Sequence, residues 1–410
     1  MITSIRGFRD IFEPESKLFA SLESIARRAF GTYSYSELRI PAVEMHELFV
    51  KSTGETTDVV EKEMYSFQDA GERRLALRPE GTPGVARAYI QHNLNSVNPR
   101  QKLFYIGGMY RAERPQKGRY REFEQIGVEY IGNAAPSADA ETIILLSDIL
   151  KEAGLARFSV ELNSLGCGKC RPAYRESLIN FLHKCEDTLC EHCRGRIDKN
   201  PLRALDCKID GPAVGQNAPV QELCPECADH FAAVQKYLDD AGVRYAVNRN
   251  MVRGLDYYTK TVFEFKTDLL GSQDSIAGGG RYDSLIKSMG GPDVPAVGWA
   301  FGADRVVSMM PPAAGAAEPL KAFVISMGGT ADLPAFRLLS GLRRAGVKAD
   351  GGDFAKSFKA QLRAADKSGA EKLVIIGENE VLKSTCMVKD LKTGGQTEIP
   401  ALEITTFLGK

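Results

Sequence analysis

The sequence predicts an α+β domain interrupted by a helical insertion and followed by a small α/β domain, and three changes of texture along its 410 residues carry that expectation. Residues 6–166 alternate helical patterns, such as 16–30, with short β-rich runs at 103–111 and 128–131, as an α+β domain does. Residues 167–242 turn helical and are dotted with cysteines, with amphipathic helices expected at 174–183 and 227–241. Strand-like patterns then return at 245–247, 262–265 and 275–277, and 280–289 reads as a turn into a helix, so the first domain resumes after the insertion.

The proline-framed run PPAAGAAEP at 311–319 is poor in large apolar groups and suits a linker. Beyond it a strand at 322–326, a helix at 333–345, a strand at 347–349, a helix at 358–365 and a strand at 372–376 alternate as βαβαβ, which implies a parallel core. The expected division is a first domain of 1–166 with 243–310, an insertion at 167–242, a linker at 311–320 and a last domain at 321–410.

With 43% hydrophobic and 26% charged residues the chain is neither disordered nor fibrous, and it has apolar material for two or three cores. No run approaches the roughly 20 apolar residues of a membrane span. Arg6, Arg9 and Asp10 stand where a signal peptide would be apolar, so a cytoplasmic protein is expected. Lys plus Arg balance Asp plus Glu at 53 each, so any nucleic-acid partner must be held by a local basic patch.

Nine cysteines, eight of them between Cys167 and Cys227, disfavour a disulfide framework and leave metal binding or buried thiols. Cys167 with Cys170, Cys190 with Cys193, and Cys224 with Cys227 form three CxxC pairs, and two such pairs can supply the four thiolates of a tetrahedral zinc site.

The richest stretch is 107–132, GGMYRAERPQKGRYREFEQIGVEYIG, where strand-like segments flank a loop carrying Arg111, Arg114, Lys117, Arg119 and Arg121. Guanidinium groups make planar, charge-assisted bonds to phosphate, so this loop suits an anion, although a solvated hairpin with a charged tip has the same composition. RGLDYY at 253–258 sets a cation beside an acid and two tyrosines, which suits either a ligand pocket or a buried tyrosine pair with a structural ion pair. Gly278 to Gly280 permit close backbone approach to a ligand or make a plain turn.

YRAE followed by GRYREFEQIG resembles motif 2 of the class II aminoacyl-tRNA synthetases, in its histidyl version. ELRIPAVE at 37–44 resembles motif 1 with Pro41, and AVGWAFGADRV at 296–306 resembles motif 3, with a helix starting near Arg305. RGLDYYTKTVFEF at 253–265, AGGGRYDSL at 277–285, RPEGT at 78–82 and RGFRDIFEPES at 6–16 narrow the resemblance to the histidyl-tRNA synthetase family. It covers nearly the whole chain, more weakly in 167–227, and it departs at Ala112, where several members have a larger polar side chain.

The resemblance implies a class II fold: an antiparallel sheet with flanking helices, a helical insertion and a C-terminal α/β anticodon-binding domain. It implies ATP-dependent ligation of L-histidine to tRNA(His) through a histidyl adenylate, with Mg²⁺ accompanying ATP, and a homodimer built on motif 1. Arg111 would grip the α-phosphate, and Arg253 would reach it from the opposite side in place of a metal ion. Glu113 and Phe123 would place the adenine, Arg305 would cover its other face or reach the terminal phosphate, and Arg119 and Arg121 would add phosphate contacts. Glu129 would hold the histidine ring, Glu80, Thr82 and Gln125 its amino and carboxylate groups, and Tyr257 and Tyr258 the pocket walls. Arg114 and Gln116 would face the tRNA acceptor end. Lys356, Lys359, Arg363 and Lys367 suit either an anticodon-binding face or a solvated helix.

Other family members carry the insertion without these cysteines, so the fold does not depend on metal. A structural zinc, where present, would use Cys190, Cys193, Cys224 and Cys227. Two rival readings are a catalytically inactive regulatory paralogue, which typically lacks the RGLDYY-like segment and the last domain, and a zinc-dependent nucleic-acid module, which leaves Glu80, Arg111, Glu129 and Arg305 unexplained.

Overall fold

A computed structural model of the protein describes residues 2–54, 57–116, 118–270, 274–315 and 319–409. It divides into two compact units, Met1–Ala316 and Ala317–Lys410. Of the expected linker, 312–315 form a 3₁₀ turn, and 316–318 lie outside the described residues.

The first unit is built on an eight-stranded sheet in the order Ser36–Glu37, Gln101–Tyr110, Glu122–Ile131, Ala296–Gly302, Ser275–Arg281, Thr259–Lys266, Ser159–Ser164, Ala246–Val247. Its inner pairings are antiparallel, and only the two short edge strands pair in parallel. The long hairpin runs in unbroken register from Gln101 opposite Ile131 to Tyr110 opposite Glu122. Motif 3 closes the centre by setting Gly298 opposite Glu129.

Strand alternation gives the sheet two chemically different faces. Ile126, Val128, Phe263, Phe265, Trp299 and Phe301 point to one face. There they pack on the helix Glu15–Thr32 through Phe19, Leu22 and Phe30, and on Pro136–Glu152 through Leu145, Leu146 and Ile149. Trp299 also donates its Nε1–H to the carbonyl of Thr142 at 2.7 Å, which satisfies the buried indole. The alternate residues Phe123, Gln125, Glu264, Gly298, Ala300 and Gly302 face a cavity on the other side.

The cysteine-dotted segment contains the helices Arg171–Lys184, Glu191–Arg194, Gly211–Asn217 and Pro225–Asp240. Leu178, Leu182, Leu189, Ile197 and Val214 continue the core beneath Tyr257 and Tyr258. The last helix instead sends Val234 and Leu238 into the core shared with Pro136–Glu152.

The second unit has a five-stranded sheet in the order Ala349–Gly351, Ala322–Ser326, Lys372–Ile376, Thr385–Asp390, Gln396–Pro400. The first three strands are parallel, as the βαβαβ pattern requires, with helices Asp332–Arg344 and Phe358–Ser368 as the crossovers. The two antiparallel strands that complete the sheet are half exposed and polar, and were not anticipated from sequence.

Candidate active site

A cavity of about 510 Å³ opens over the polar face of the large sheet. Glu80, Thr82, Arg111, Glu113, Arg119, Phe123, Gln125, Arg253, Tyr257, Tyr258 and Arg305 all line it. These eleven residues lie as much as 225 positions apart in sequence (305 − 80), so only the sheet brings them together.

Two buried carboxyls stand at the deep end, each hydrogen-bonded to two hydroxyls. Glu80 is buried and accepts from Thr53 Oγ1 and from Tyr257 Oη, each at 3.1 Å. Burial pushes its carboxyl up, against the pull of Arg111 and these hydroxyls. Glu129 lies behind the lining, accepting from Thr82 Oγ1 at 2.6 Å and from Tyr282 Oη. Burial raises its carboxyl to about 8, more than the Thr82 and Tyr282 hydroxyls lower it. Gln125 Oε1 accepts from Tyr105 Oη at 3.0 Å and from the Gly81 amide at 3.1 Å, which leaves its amide nitrogen for a ligand. Tyr257 stacks obliquely on Tyr258, ring centres 4.6 Å apart, and meets the edge of Tyr282 at 5.6 Å.

The outer part of the cavity is cationic. Arg111 donates from Nε to the Pro79 carbonyl at 2.9 Å and lies over Phe123, 5.3 Å from its ring centre. Arg253 donates from Nη1 to Glu264 Oε1 at 2.6 Å, and Ser275 Oγ donates to the same oxygen at 2.6 Å. Arg305 is anchored to the carbonyls of Gly118 and Ser275. Glu113 is ion-paired with Arg119, whose charge burial disfavours. Gly278 has no side chain where the Arg253 guanidinium lies; a Cβ built there falls on it.

Besides Glu129 behind the lining, three expected site residues are not brought to this cavity. Arg121 donates to the carbonyls of Glu113 at 3.1 Å and Arg6 at 3.5 Å, and so fastens the N-terminal arm. Arg114 and Gln116 line a neighbouring open cavity of about 660 Å³ together with Arg6 and Lys62. Lys117 lies outside the described residues.

The zinc set expected from sequence is corrected by the structure. Cys224 and Cys227 group with Cys167 and Cys170, whereas Cys190 and Cys193 group with Cys207 and Asp210. Spacing identifies CxxC pairs but cannot say which of them the chain fold brings face to face.

Several residues of the site went unnoticed in the sequence. Tyr282 follows the triple glycine and bonds Glu129, and Glu264 is the second residue of the strand alternation from Val262. Arg9 lies 4.2 Å from the Tyr120 ring centre and 2.8 Å from Asp304, so the RGFRD segment closes the cavity rim. A basic residue in an N-terminal arm was the available signal, but nothing local tells its partner.

The model of the family described as Histidyl-tRNA synthetase matches residues 7–169 and 212–306, more than half of the chain. The chain belongs to the histidyl-tRNA synthetase family. It is therefore an aminoacyl-tRNA synthetase, a ligase, and the model described as Anticodon binding domain matches 321–410. The histidine–tRNA ligase of Elusimicrobium minutum is 52% identical over 413 residues, covering 100% of this chain and 99% of the relative. That of Geobacter sulfurreducens is 46% identical and covers 98% and 97%. Among solved structures, apo histidyl-tRNA synthetase of S. aureus superposes with a TM-score of 0.84 at 33% identity, over 100% of both chains. The motif-bearing strands of this synthetase are thus inside the matched segments, and residues 170–211 are outside them.

Proposed function

We propose that this synthetase activates L-histidine with ATP to histidyl adenylate, releasing diphosphate, and then transfers the histidyl group to tRNA(His), releasing AMP. The observation that carries this reading is the single cavity in which buried carboxylates at one end meet a field of arginines at the other. Attack of the histidine carboxylate on the α-phosphate builds negative charge on phosphate oxygens, and catalysis then rests on positioning and preorganised cations. Arg111 and Arg253 take that role from opposite sides, Phe123 and Arg305 sandwich the adenine, and Glu113 meets its edge. Glu129 accepts the imidazole N–H, with Tyr257 and Tyr258 as walls and Glu80, Thr82 and Gln125 around the amino and carboxylate groups. A pocket with such buried acceptors rejects substrates without a matching donor by roughly 10⁴ to 10⁵.

Glu113 and Glu264 each already hold a guanidinium. Mg²⁺ is therefore read as part of the nucleotide substrate, with Arg119 and Arg253 as the protein's own cations beside it. Arg114 and Gln116, beside Arg6 and Lys62, are read as the acceptor-end contact. The 321–410 domain binds the anticodon as unstacked bases and through phosphate contacts. We read the chain as 1–166 with 243–310, an insertion at 167–242, a linker at 311–320 and this last domain, acting in the cytoplasm; no helix among the described residues is long and apolar enough to cross a membrane.

Motif 1 supports a homodimer, since Pro41, Val43 and Met45 are exposed beside the short strand Val43–Met45. Sedimentation at micromolar concentration should give twice the 44.9 kDa chain mass; a monomer alone refutes the dimer. Histidine-dependent exchange of pyrophosphate into ATP tests the activity itself, and its absence in folded protein overturns the reading.

A further inference from the structure

We propose that the cysteine-rich segment holds two Zn²⁺ ions, the first on Cys167, Cys170, Cys224 and Cys227 and the second on Cys190, Cys193, Cys207 and Asp210. In each group the four ligand atoms lie within 4.8 Å of one another. Four sulfurs at about 2.3 Å from one zinc stand about 3.8 Å apart along the edges of the tetrahedron. The Sγ separations are 3.8 Å for Cys167 and Cys224, 3.9 Å for Cys170 and Cys227, 3.9 Å for Cys167 and Cys170, and 3.8 Å for Cys190 and Cys207. A disulfide needs about 2.05 Å. The thiols are therefore arrayed around a common centre and not bonded in pairs.

The backbone repeats the same device. Cys190 and Cys224 precede helices with nearly identical torsions, φ −65° and ψ 159° against φ −64° and ψ 158°, and each has its second cysteine three residues on in the first turn. Opposite them, Cys170 and Asp210 each stand immediately before a helix and three residues after Cys167 and Cys207. Cys207-Lys-Ile-Asp210 is thus a CxxC turn in which an aspartate replaces the second thiol, and carboxylate oxygen is an accepted zinc ligand. Backbone amides point at the sulfurs, from Lys169 to Cys167 at 3.4 Å and from Asp210 to Cys207 at 3.5 Å. The Cys190 amide donates to both oxygens of Asp210, at 3.2 and 3.0 Å, and aims that carboxylate into the group. Cys185, the remaining thiol of the segment, joins neither group and bonds the carbonyls of Phe181 and Leu182.

Between Cys185 and Gly211 the described helices are no longer than four residues. So short a run gains little from regular structure, and metal binding there is folding free energy. The first ion clasps the two ends of the segment, and the second fixes its tip against the catalytic cavity. Asp206 and Lys208, either side of Cys207, line that cavity. Arg203 bonds Asp206 at 3.1 Å and the carbonyl of Gly254 at 3.5 Å, and Asn200 bonds Asp256 at 2.9 Å. The second site therefore braces the loop that carries Arg253. Soft thiolate sets select zinc or iron over hard cations, and tetrahedral four-ligand closure without a redox role points to zinc.

The test is elemental analysis of untagged full-length protein prepared without chelator. Two zinc ions per chain are expected; less than a tenth of an equivalent, or iron in their place, overturns the proposal. Cys170→Ser and Asp210→Ala should each leave one zinc, and retention of both in either variant refutes that ligand set. Because a variant can misfold, the unaltered protein supplies a second readout. Replacement of its metal by Co²⁺ should give thiolate-to-metal absorption and the visible bands of tetrahedral cobalt, whereas octahedral bands alone refute the sites. Thiol titration in denaturant with chelator should find all nine cysteines reduced, and a count of five or fewer would replace the ions with disulfides.

Discussion

Thr82 donates its hydroxyl to Glu129 at 2.6 Å, on the side of the carboxylate opposite Tyr282. Burial raises this carboxyl to about 8 in the empty pocket, and in the proposed ring contact the ionised carboxylate accepts an N–H from a neutral imidazole. Between about 6.5, where free imidazole loses its proton, and 8, histidine binding in that form releases a proton. Affinity should rise with pH through that window and level off above it. Glu129→Gln should abolish the slope, weaken histidine by about tenfold or more and leave ATP affinity unchanged. Equilibrium dialysis with labelled histidine at several pH values measures this; a flat profile in the unaltered protein removes Glu129 from the ring contact.

The pattern of alternation made much of this site readable. Phe123 and Gln125, which line the cavity, and Glu129 behind them share one face of a strand by their odd spacing, and Ile126 and Val128 share the other, so period alone separates the site's face from the core. The long-range order was not readable. Ala296–Gly302 lies beside Glu122–Ile131 although 165 positions separate the paired Ala296 and Ile131 (296 − 131), and no local period encodes that pairing. The same limit misassigned the cysteines, and Glu264 was hidden because its meaning depends on Arg253, in the loop before its own strand. Arg121 looked like Arg119 in sequence, and only the N-terminal arm, which gives it the Arg6 carbonyl, tells them apart.

Gly278 and Gly279 should respond differently to a methyl group. The nearest atoms to a Cβ at Gly278 all belong to the Arg253 guanidinium, the end of a flexible side chain. Gly278→Ala should then leave melting nearly unchanged and lower pyrophosphate exchange by on the order of 10²-fold, the cost of displacing one preorganised donor. At Gly279 the methyl meets the Gly298 carbonyl, Trp299 Cβ at 2.6 Å and Phe263 Cζ at 2.7 Å, all within the packed sheet. Gly279→Ala should destabilise the fold by about 1–3 kcal/mol. Thermal melts of both variants beside exchange rates distinguish the two cases, and equal melting of both contradicts this account.

Arg281 and Asp139 are both fully buried and paired through Nε, at 3.1 and 3.2 Å, and through Nη2. His230 adds a contact at 3.4 Å to the same carboxylate. Burial pushes the Asp139 carboxyl up, but Arg281 and His230 outweigh it and hold it below its ordinary value. Its folded value is thus depressed, so its stabilisation is complete above the ordinary carboxylate range and is lost as pH falls through the lower folded value. Arg281→Met should cost about 3–5 kcal/mol by stranding a buried charge, and Asp139→Leu added to it should recover part of that loss. Denaturant melts of the single and double variants check this, and an additive double loss would contradict it.

Arg253 is the sharpest test of the proposed adenylation chemistry. Its side chain is one-fifth exposed, its Nη1 is paired with Glu264 at 2.6 Å, and its Nε is buried without a partner among the described residues. The exposed part of the guanidinium lines the cavity, where an α-phosphate supplies an acceptor for a charge-assisted hydrogen bond. Charge on that phosphate grows as the histidine carboxylate attacks, so Arg253→His should lower the single-turnover rate of adenylate formation by on the order of 10² to 10³, or roughly 3 to 4 kcal/mol. Transfer of histidine from preformed adenylate to tRNA should fall much less, because the phosphate then leaves with its charge already developed. Were the Arg253–Glu264 pair merely structural, its loss would lower melting and slow both steps together, and Glu264→Gln would reproduce the pattern. Rapid-quench rates of both half-reactions, on variants whose melting shows them folded, decide between the two. Equal losses in the two steps, or none in either, would refute the catalytic role.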